Sequence, residues 1–465
     1  MKNMELRAIT RLVMMATLFV CIAGSVQAKE LTLYEVVNRA IEYYPLLQQR
    51  KAEYNASRAH VSTVRSNRFP SLKLHDQVNV GTANSLTGTY FPLGTVVPVA
   101  GAIRDANVST LASGNIGLAY MEWEAINFGY YGASNKEAIA GEALRSSVFE
   151  NDKYQVTETV ISLYLDLLKQ YEYLKIEQNN VQRAKTIFDA INATVVSGLK
   201  PGVDSTTARA EYSRARIGYL QAMSNYADAR IALANYTGLD TTRIEPDTNL
   251  FDKMQAIGES FTSDSISDEH PMLDVYKKQY DLQLADNKVV AHKYLPKVYL
   301  LGAASVRGSS ITGNSDYSPN LADGLSYSRY NYALGAAFTY NIFDLKHRHD
   351  QLVEGKYEAE AKKQALNTRR IELTSLLKQT KEAYDNTVLQ LQELPVQVNA
   401  ARQAYEQQMA LYRGGLNTLV DVTNALYAVN KAESSYVIGK DAFLRLMSIR
   451  AGINNQLDTF IANFK

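Results

Sequence analysis

The chain has 465 residues, with 49 basic and 48 acidic side chains for a formal charge of +1, and one cysteine. No basic block points to nucleic acid or to a strongly anionic surface, and a single cysteine excludes disulfide scaffolds and cysteine-based metal sites. At the start, Lys2, Arg7 and Arg11 precede an apolar stretch from Leu12 to Ala23, and Val26-Gln27-Ala28 then supplies small residues suited to cleavage before Lys29. Residues 1–28 therefore read as a signal peptide, with Cys21 inside it. The rival reading, an inner-membrane anchor, is disfavoured because about a dozen apolar residues fall short of the roughly 20 that a spanning helix needs. No later apolar run reaches that length, so entry of the mature protein into a membrane must use strands.

Past the leader, the chain repeats. Pro45 and Pro70 recur as Pro271 and Pro296 at an offset of 226, and between them Leu47, Lys51, Tyr54, Ala59 and Val64 recur as Leu273, Lys277, Tyr280, Ala285 and Val290. Further on, Trp123 aligns with Tyr340, Asn127 with Asp344, Gly198 with Gly415 and Asp204 with Asp421, at an offset of 217. This is the signature of internal duplication, with the change of offset absorbed in a loop. The repeats are placed at 29–250 and 251–465. Each reads as a helix, two strands around a loop, a long helix, a tight turn and a returning helix.

The long helices announce themselves by what they lack. Glu142 to Ser197 contains no glycine or proline, and 56 helical residues would span about 84 Å at ~1.5 Å each. Lys356 to Leu394 is likewise unbroken, and Pro395 is expected to kink or interrupt a helix that resumes toward Arg413. Val156, Val160, Leu163, Leu167, Leu174, Val181, Ala184, Phe188, Ile191 and Val195 fall on a repeat averaging about 3.5 residues, which implies left-handed supercoiling. That period fits both an ordinary bundle core and helices packed side by side around a tube.

The strands carry a second pattern. Tyr332, Leu334, Ala336, Phe338 and Tyr340 alternate with Asn331, Ala333, Gly335, Ala337 and Thr339, an apolar face backed by a small or polar one. A membrane barrel strand and a half-buried soluble strand share this alternation. In the first repeat Leu72, Leu74, Val78 and Val80, then Ile116, Leu118 and Tyr120, alternate more loosely. Gly81 to Thr110 and Arg307 to Ser326 are rich in Gly, Ser, Thr, Asn and Pro and read as loops. Four strands cannot close a lumen, so a barrel would require several chains.

The duplicated order of elements, the paired prolines leading into strands, the stretches Trp123 to Phe128 and Tyr340 to Leu345, and the turns GLKPGVD and GGLNTLVD together resemble the TolC family of outer-membrane efflux proteins. The resemblance implies a mainly α fold with a transmembrane β-barrel part. In that fold a homotrimer builds a 12-stranded barrel in the outer membrane and a long α-helical barrel in the periplasm. It also implies a conducting exit duct without catalysis or cofactor, docked at its tip onto a periplasmic adaptor protein and an inner-membrane pump, with outer-membrane lipid around the strands. A non-conducting periplasmic coiled-coil protein that bridges the envelope is the alternative from another class. It explains the helices but not two matching strand pairs.

By the same resemblance the turns Gly198, Leu199, Pro201, Gly414, Gly415 and Leu416 form the adaptor-docking tip. Gly198 and Gly415 suit helix ends, where a left-handed backbone is cheap for glycine. Asp204, Asp421, Tyr412, Asn417 and Asn424 are the expected aperture or gate residues. Tyr412 and Asp421 match the family's gate positions, whereas Asn417 stands in place of an arginine and Asn424 in place of an aspartate, so closure by an arginine-centred salt bridge is not expected. Both aspartates also sit where a carboxylate stabilises a helix start. His347, Arg348, His349 and Asp350 do not make a metal site, because two histidines two apart on a helix point in different directions. No phosphate-cradling loop or nucleophile elbow is present.

Overall fold

The computed structural model describes residues 30–85, 103–198, 201–251, 266–312 and 316–464. The leader expected at 1–28, with Cys21, and Leu199 of the tip lie outside the described residues. The chain divides into two units, one comprising 1–54, 145–277 and 364–465, the other 55–144 and 278–363.

The first unit is helical. Strand β1 (Glu30–Leu31) pairs in parallel with β4 (Glu245–Pro246), and the Tyr164 hydroxyl clasps both ends, donating to the Leu31 carbonyl at 2.7 Å and accepting from the Asp247 N–H at 2.9 Å. Helix α1 (Leu33–Tyr43) opens on a capping box in which Thr32 and Glu35 satisfy each other's backbone N–H groups. Helix α2 (Pro45–Ser66) follows at once. The long helix α3 (Tyr130–Val196) turns into α4 (Gly202–Thr237), and α6 (Asp344–Arg413) turns into α7 (Leu419–Ile453) and the short α8 (Leu457–Ala462). At 67 and 70 residues, α3 and α6 are each about 100 Å long.

Both long helices exceed the expected bounds. Helix α3 starts twelve residues before Glu142 and passes through Gly132 and Gly141. Helix α6 passes through Gly355 and runs on through Pro395, so of the kink or interruption expected there, the interruption does not occur. Opposite Pro395, α7 presents Gly439, where an added Cβ would meet Leu394 Cδ1 at 2.5 Å and Leu391 Cδ2 at 3.4 Å. The side chains of Leu391 and Leu394 thus occupy the space that a side chain at Gly439 would need.

Two apolar clusters hold the unit together. In one, Val156, Val160 and Leu167 of the predicted stripe are joined by Ile161, Tyr164, Leu165 and Leu168, packed with Leu33, Val36, Leu233, Leu444, Met447 and Phe460. Helix α3 thus buries residues on two adjoining faces, as a helix with a neighbour on either side must. The other cluster, toward the turns, gathers Ala184, Ile187, Ile191, Ala208, Tyr412, Leu419 and Val422.

The second unit carries the sheet, in the order β2 (Ser71–Gly81), β3 (Ala112–Ile126), β5 (Lys297–Ser309), β6 (Arg329–Thr339), antiparallel throughout. Helix α5 (Pro271–Lys293) leads into β5. Register fixes the faces, since residues directly paired across a ladder share one side. Leu74, Ala119, Ala304 and Tyr332 form one row, and Leu72, Met121, Gly302 and Leu334 the next. The same face continues through Trp123, Leu300 and Ala336 to Val298 and Phe338. The opposite face bears Lys73, His75, Gln77, Glu122, Ser305, Arg307, Arg329 and Asn331, and with them Ile116, Leu118, Tyr120, Tyr299 and Leu301.

Candidate functional site

Helices α3 and α6 end alike at their glycines. Gly198 has φ +75° and Gly415 φ +74°, conformations that a β-branched residue resists. After α6 the Gly415 N–H bonds to the Tyr412 carbonyl at 3.1 Å and the Leu416 N–H reaches back to Leu411 at 2.9 Å, the paired bonds of a Schellman ending. After α3 the Gly198 N–H bonds to Val195 at 2.9 Å. Pro201 caps α4 in an extended conformation, and Asp204 occupies its first turn. Leu416 is 80% exposed, and Gly414, Gly415 and Pro201 are exposed with it.

Of the expected gate residues, the structure joins two. The Tyr412 hydroxyl donates to Asp204 Oδ2 at 3.4 Å, with the Tyr412 ring buried in the apolar cluster below. Asp421 is occupied locally. Its carboxylate accepts from the Thr418 N–H at 3.2 Å and from the Thr418 hydroxyl, while the Asp421 N–H donates to Thr418 Oγ1 at 3.4 Å, a complete capping box for α7. Asn417 donates to Gln408 Oε1 and accepts from the Thr418 N–H at 2.8 Å, staying within its own hairpin. Asn424 is exposed.

One arrangement escaped the sequence reading. Glu433 on α7, whose side chain is 9% exposed, receives both ends of the Arg183 fork from α3 at 3.3 and 2.9 Å. It also accepts from Arg402 of α6, through Nε at 3.0 Å and Nη2 at 2.7 Å. Burial alone would raise this carboxyl, but the hydrogen bonds and charges of the two guanidinium groups outweigh it and hold the group below its ordinary value. The only sequence signal is a charged residue interrupting an apolar stripe, which many exposed positions imitate. Elsewhere in the unit His270 is buried beside Tyr154, with ring centroids 5.3 Å apart. Its Nδ1 accepts from the Met272 N–H at 3.2 Å at the head of α5, and burial lowers its titration.

The apolar face of the sheet is interrupted at its hairpin end by Asp76, Ser113 and Asn115. The segment before β6 covers these three. Tyr327 donates to Asp76 at 2.8 Å, Ser113 donates to the Leu321 carbonyl at 2.5 Å, and Asn115 donates to the Leu325 carbonyl at 3.0 Å. At the helix-connected end Trp123 Nε1 donates to the Arg68 carbonyl at 2.9 Å, and Phe69, Phe128, Ile342 and Phe343 are exposed. Among the described residues no helix is long and apolar enough to cross a membrane, and no group of three or more His, Cys, Asp or Glu is placed to hold a metal ion. Lys346 instead pairs with Asp350 at 2.6 Å.

The outer membrane efflux protein family matches residues 36–239 and 263–444, most of the chain. No curated protein shows significant sequence similarity. Among solved structures, the CmeC outer membrane channel of Campylobacter jejuni aligns with 14% identity and a TM-score of 0.71, covering 95% of each chain. The MtrE outer membrane channel of Neisseria gonorrhoeae, in its open state, aligns with 15% identity and a TM-score of 0.67, covering 94% of each. VceC, an outer membrane protein of Vibrio cholerae, aligns with 13% identity and a TM-score of 0.68, covering 91% of this chain and 95% of that one. The chain belongs to the outer membrane efflux protein family. It is an outer-membrane transport protein, not an enzyme.

Proposed function

We propose that this chain is one subunit of a homotrimeric exit duct, in which three four-stranded sheets close a 12-stranded barrel and helices α3, α4, α6 and α7 of each subunit wall a periplasmic tunnel. The observation that carries this reading is the pair of open edges. Among the described residues, strands β2 and β6 each have a partner on one side only, and both are exposed along nearly their whole length. Bare strand edges are not tolerated in lipid, and about eight strands are the least that enclose a membrane barrel. The apolar face supports the membrane placement. From Tyr330 to Phe338 it runs about 27 Å along the strand, or about 20 Å along the normal at a ~40° tilt, near the roughly 25 Å belt of such barrels.

In this reading the chain is two repeats, 29–250 and 251–465. Offsets of 226 and 217 carry α2, β2, β3, α3 and α4 onto α5, β5, β6, α6 and α7, with several boundaries coinciding, as Val196 with Arg413 and Gly202 with Leu419. The tip turns, with Leu416, Val203 and Val196 exposed, are the docking surface for a periplasmic adaptor, which links the duct to an inner-membrane pump. Asp204, Tyr412, Asp421, Asn417 and Asn424 line or brace the aperture there.

The test is the mass and conductance of protein extracted from outer membranes in mild detergent. A trimer that forms conducting pores in a planar bilayer is expected. A soluble monomer in periplasmic extracts, or a trimer without conductance, would overturn the proposal, the second outcome favouring a bridging role. Cross-linking from Leu416→Cys, an exposed position of the turn, should capture the adaptor.

A further inference from the structure

Arg307 of β5 and Arg329 of β6 stand directly opposite each other in the ladder. Both lie on the polar face of the sheet, at the end where hairpins rather than helices connect the strands, and both are exposed. Like charges at a direct cross-strand pair, with Cβ atoms roughly 5 Å apart, disfavour the sheet. No described carboxylate relieves them. Ion pairs of this unit such as Lys297 with Glu124 and Lys346 with Asp350 lie elsewhere, and neither arginine has a carboxylate partner among the described residues. Arg329 Nη1 donates to the Ser328 carbonyl at 2.9 Å, which leaves most of its fork open. The nearby Asp323 is occupied by Ser318 and Asn320. The connection from β2 to β3, residues 82–111, contains one acidic residue, Asp105, which makes no ion pair with either arginine, and the neighbouring polar-face residues Gln77, Ser305 and Asn331 are uncharged.

We infer that Arg307 and Arg329 form an anion-binding site at the outer mouth of the pore, selecting soluble multivalent oxyanions such as phosphate-bearing molecules. The inference rests on the trimeric duct, in which three copies gather six guanidinium groups around one opening. A guanidinium fork matches phosphate oxygens two at a time, and a ring of such groups concentrates anions at a constriction. The face determines the source of the ligand. Lipid phosphates would meet the apolar face, whereas these side chains stand on the opposite one, in the water of the pore.

The test is single-channel recording of the purified trimer in a neutral phosphatidylcholine bilayer, with inositol hexakisphosphate added on the hairpin side. The wild type should be blocked. The half-blocking concentration should rise at least about tenfold in the Arg307→Gln/Arg329→Gln variant, the scale of one lost charge-assisted hydrogen bond, and less in the double lysine variant. Equal block in wild type and the glutamine variant overturns the site. If the double variant does not assemble, the two single glutamine variants carry the same test, and unchanged block in both overturns it. Block that disappears in bilayers containing phosphatidylglycerol would overturn the soluble-anion assignment in favour of lipid headgroups. A trimer that forms no pore in any variant sinks the duct itself, which separates that failure from failure of the site alone.

Discussion

The Tyr412 hydroxyl and Asp204 Oδ2 meet at 3.4 Å, tying the end of α6 to the first turn of α4 across 208 positions of sequence. The bond is long, so its loss should cost under about 1 kcal/mol of stability. Its effect should appear at the aperture instead. Tyr412→Phe is expected to leave trimer yield unchanged and to raise resting conductance in planar bilayers. Unchanged conductance in a correctly assembled trimer would show that the contact does not hold the tip.

Asp204 and Asp421 are expected to make the narrow end cation-selective, since three-fold symmetry would collect up to six carboxylates near one opening. Asp204→Ala/Asp421→Ala should reduce both the reversal potential in a salt gradient and the block by a multivalent cation added from the periplasmic side. Asp421→Ala alone carries a further cost of about 1 kcal/mol, because its carboxylate completes the cap of α7. If selectivity were untouched by the double variant, both residues would be helix-start residues only.

Gly415 sits at φ +74°, and no heavy atom lies within 4 Å of the place a Cβ would take, so any penalty there is conformational and not steric crowding by neighbours. Gly415→Val should destabilise the turn by about 1–2 kcal/mol and reduce adaptor cross-linking more than it reduces trimer yield. Equal cross-linking to wild type would argue against the tip as docking surface.

Glu433→Gln should lower thermal stability by about 2–4 kcal/mol, because it leaves two guanidinium groups facing a neutral amide. Replacing the whole group, as Arg183→Met/Glu433→Leu/Arg402→Met, should come closer to wild type. The pH dependence follows from a carboxyl held below its ordinary value of 4.5. Its stabilisation is complete above that pH and is lost as the pH falls through the lower value it has in the fold. Thermal melts of all three proteins between pH 3 and 7 check both statements.

His270 titrates in the opposite sense to a paired histidine. Burial lowers it below its ordinary 6.5, so the neutral ring stabilises fully above that pH, and stability declines as the pH falls further and the unfolded chain takes up the proton first. Protonation would also abolish the Nδ1 acceptor for the Met272 N–H. His270→Asn, which can still cap α5, should flatten the part of the melting curve between pH 7 and 5 that this residue contributes.

Much of this architecture was legible because it rests on local rules. The absence of glycine and proline marked both long helices, and the alternation in β6 marked its apolar face. The helix ends extended further because Gly132, Gly141 and Gly355 were tolerated, and α6 runs on through Pro395. The faces of β2 and β3 read poorly because Ile116, Leu118 and Tyr120 fall on the face of Lys73, His75 and Gln77, while Asp76, Ser113 and Asn115 break the apolar face and are satisfied by a segment some 200 residues downstream. The same distance hid the pairing of Tyr412 with Asp204 and the cluster around Glu433. In each case both partners are common polar residues whose meeting depends on tertiary packing alone.

The bare edges of β2 and β6 also bear on inheritance. If each chain contributes a third of one closed wall, subunits cannot enter the bilayer singly, and insertion waits on encounter between chains. Two alleles expressed together would then be sorted into shared rings, and a subunit with a damaged edge would spoil the sound subunits beside it. Edge substitutions in β2 or β6 should therefore be genetically dominant, whereas those that merely unfold a chain before it meets its partners should be recessive.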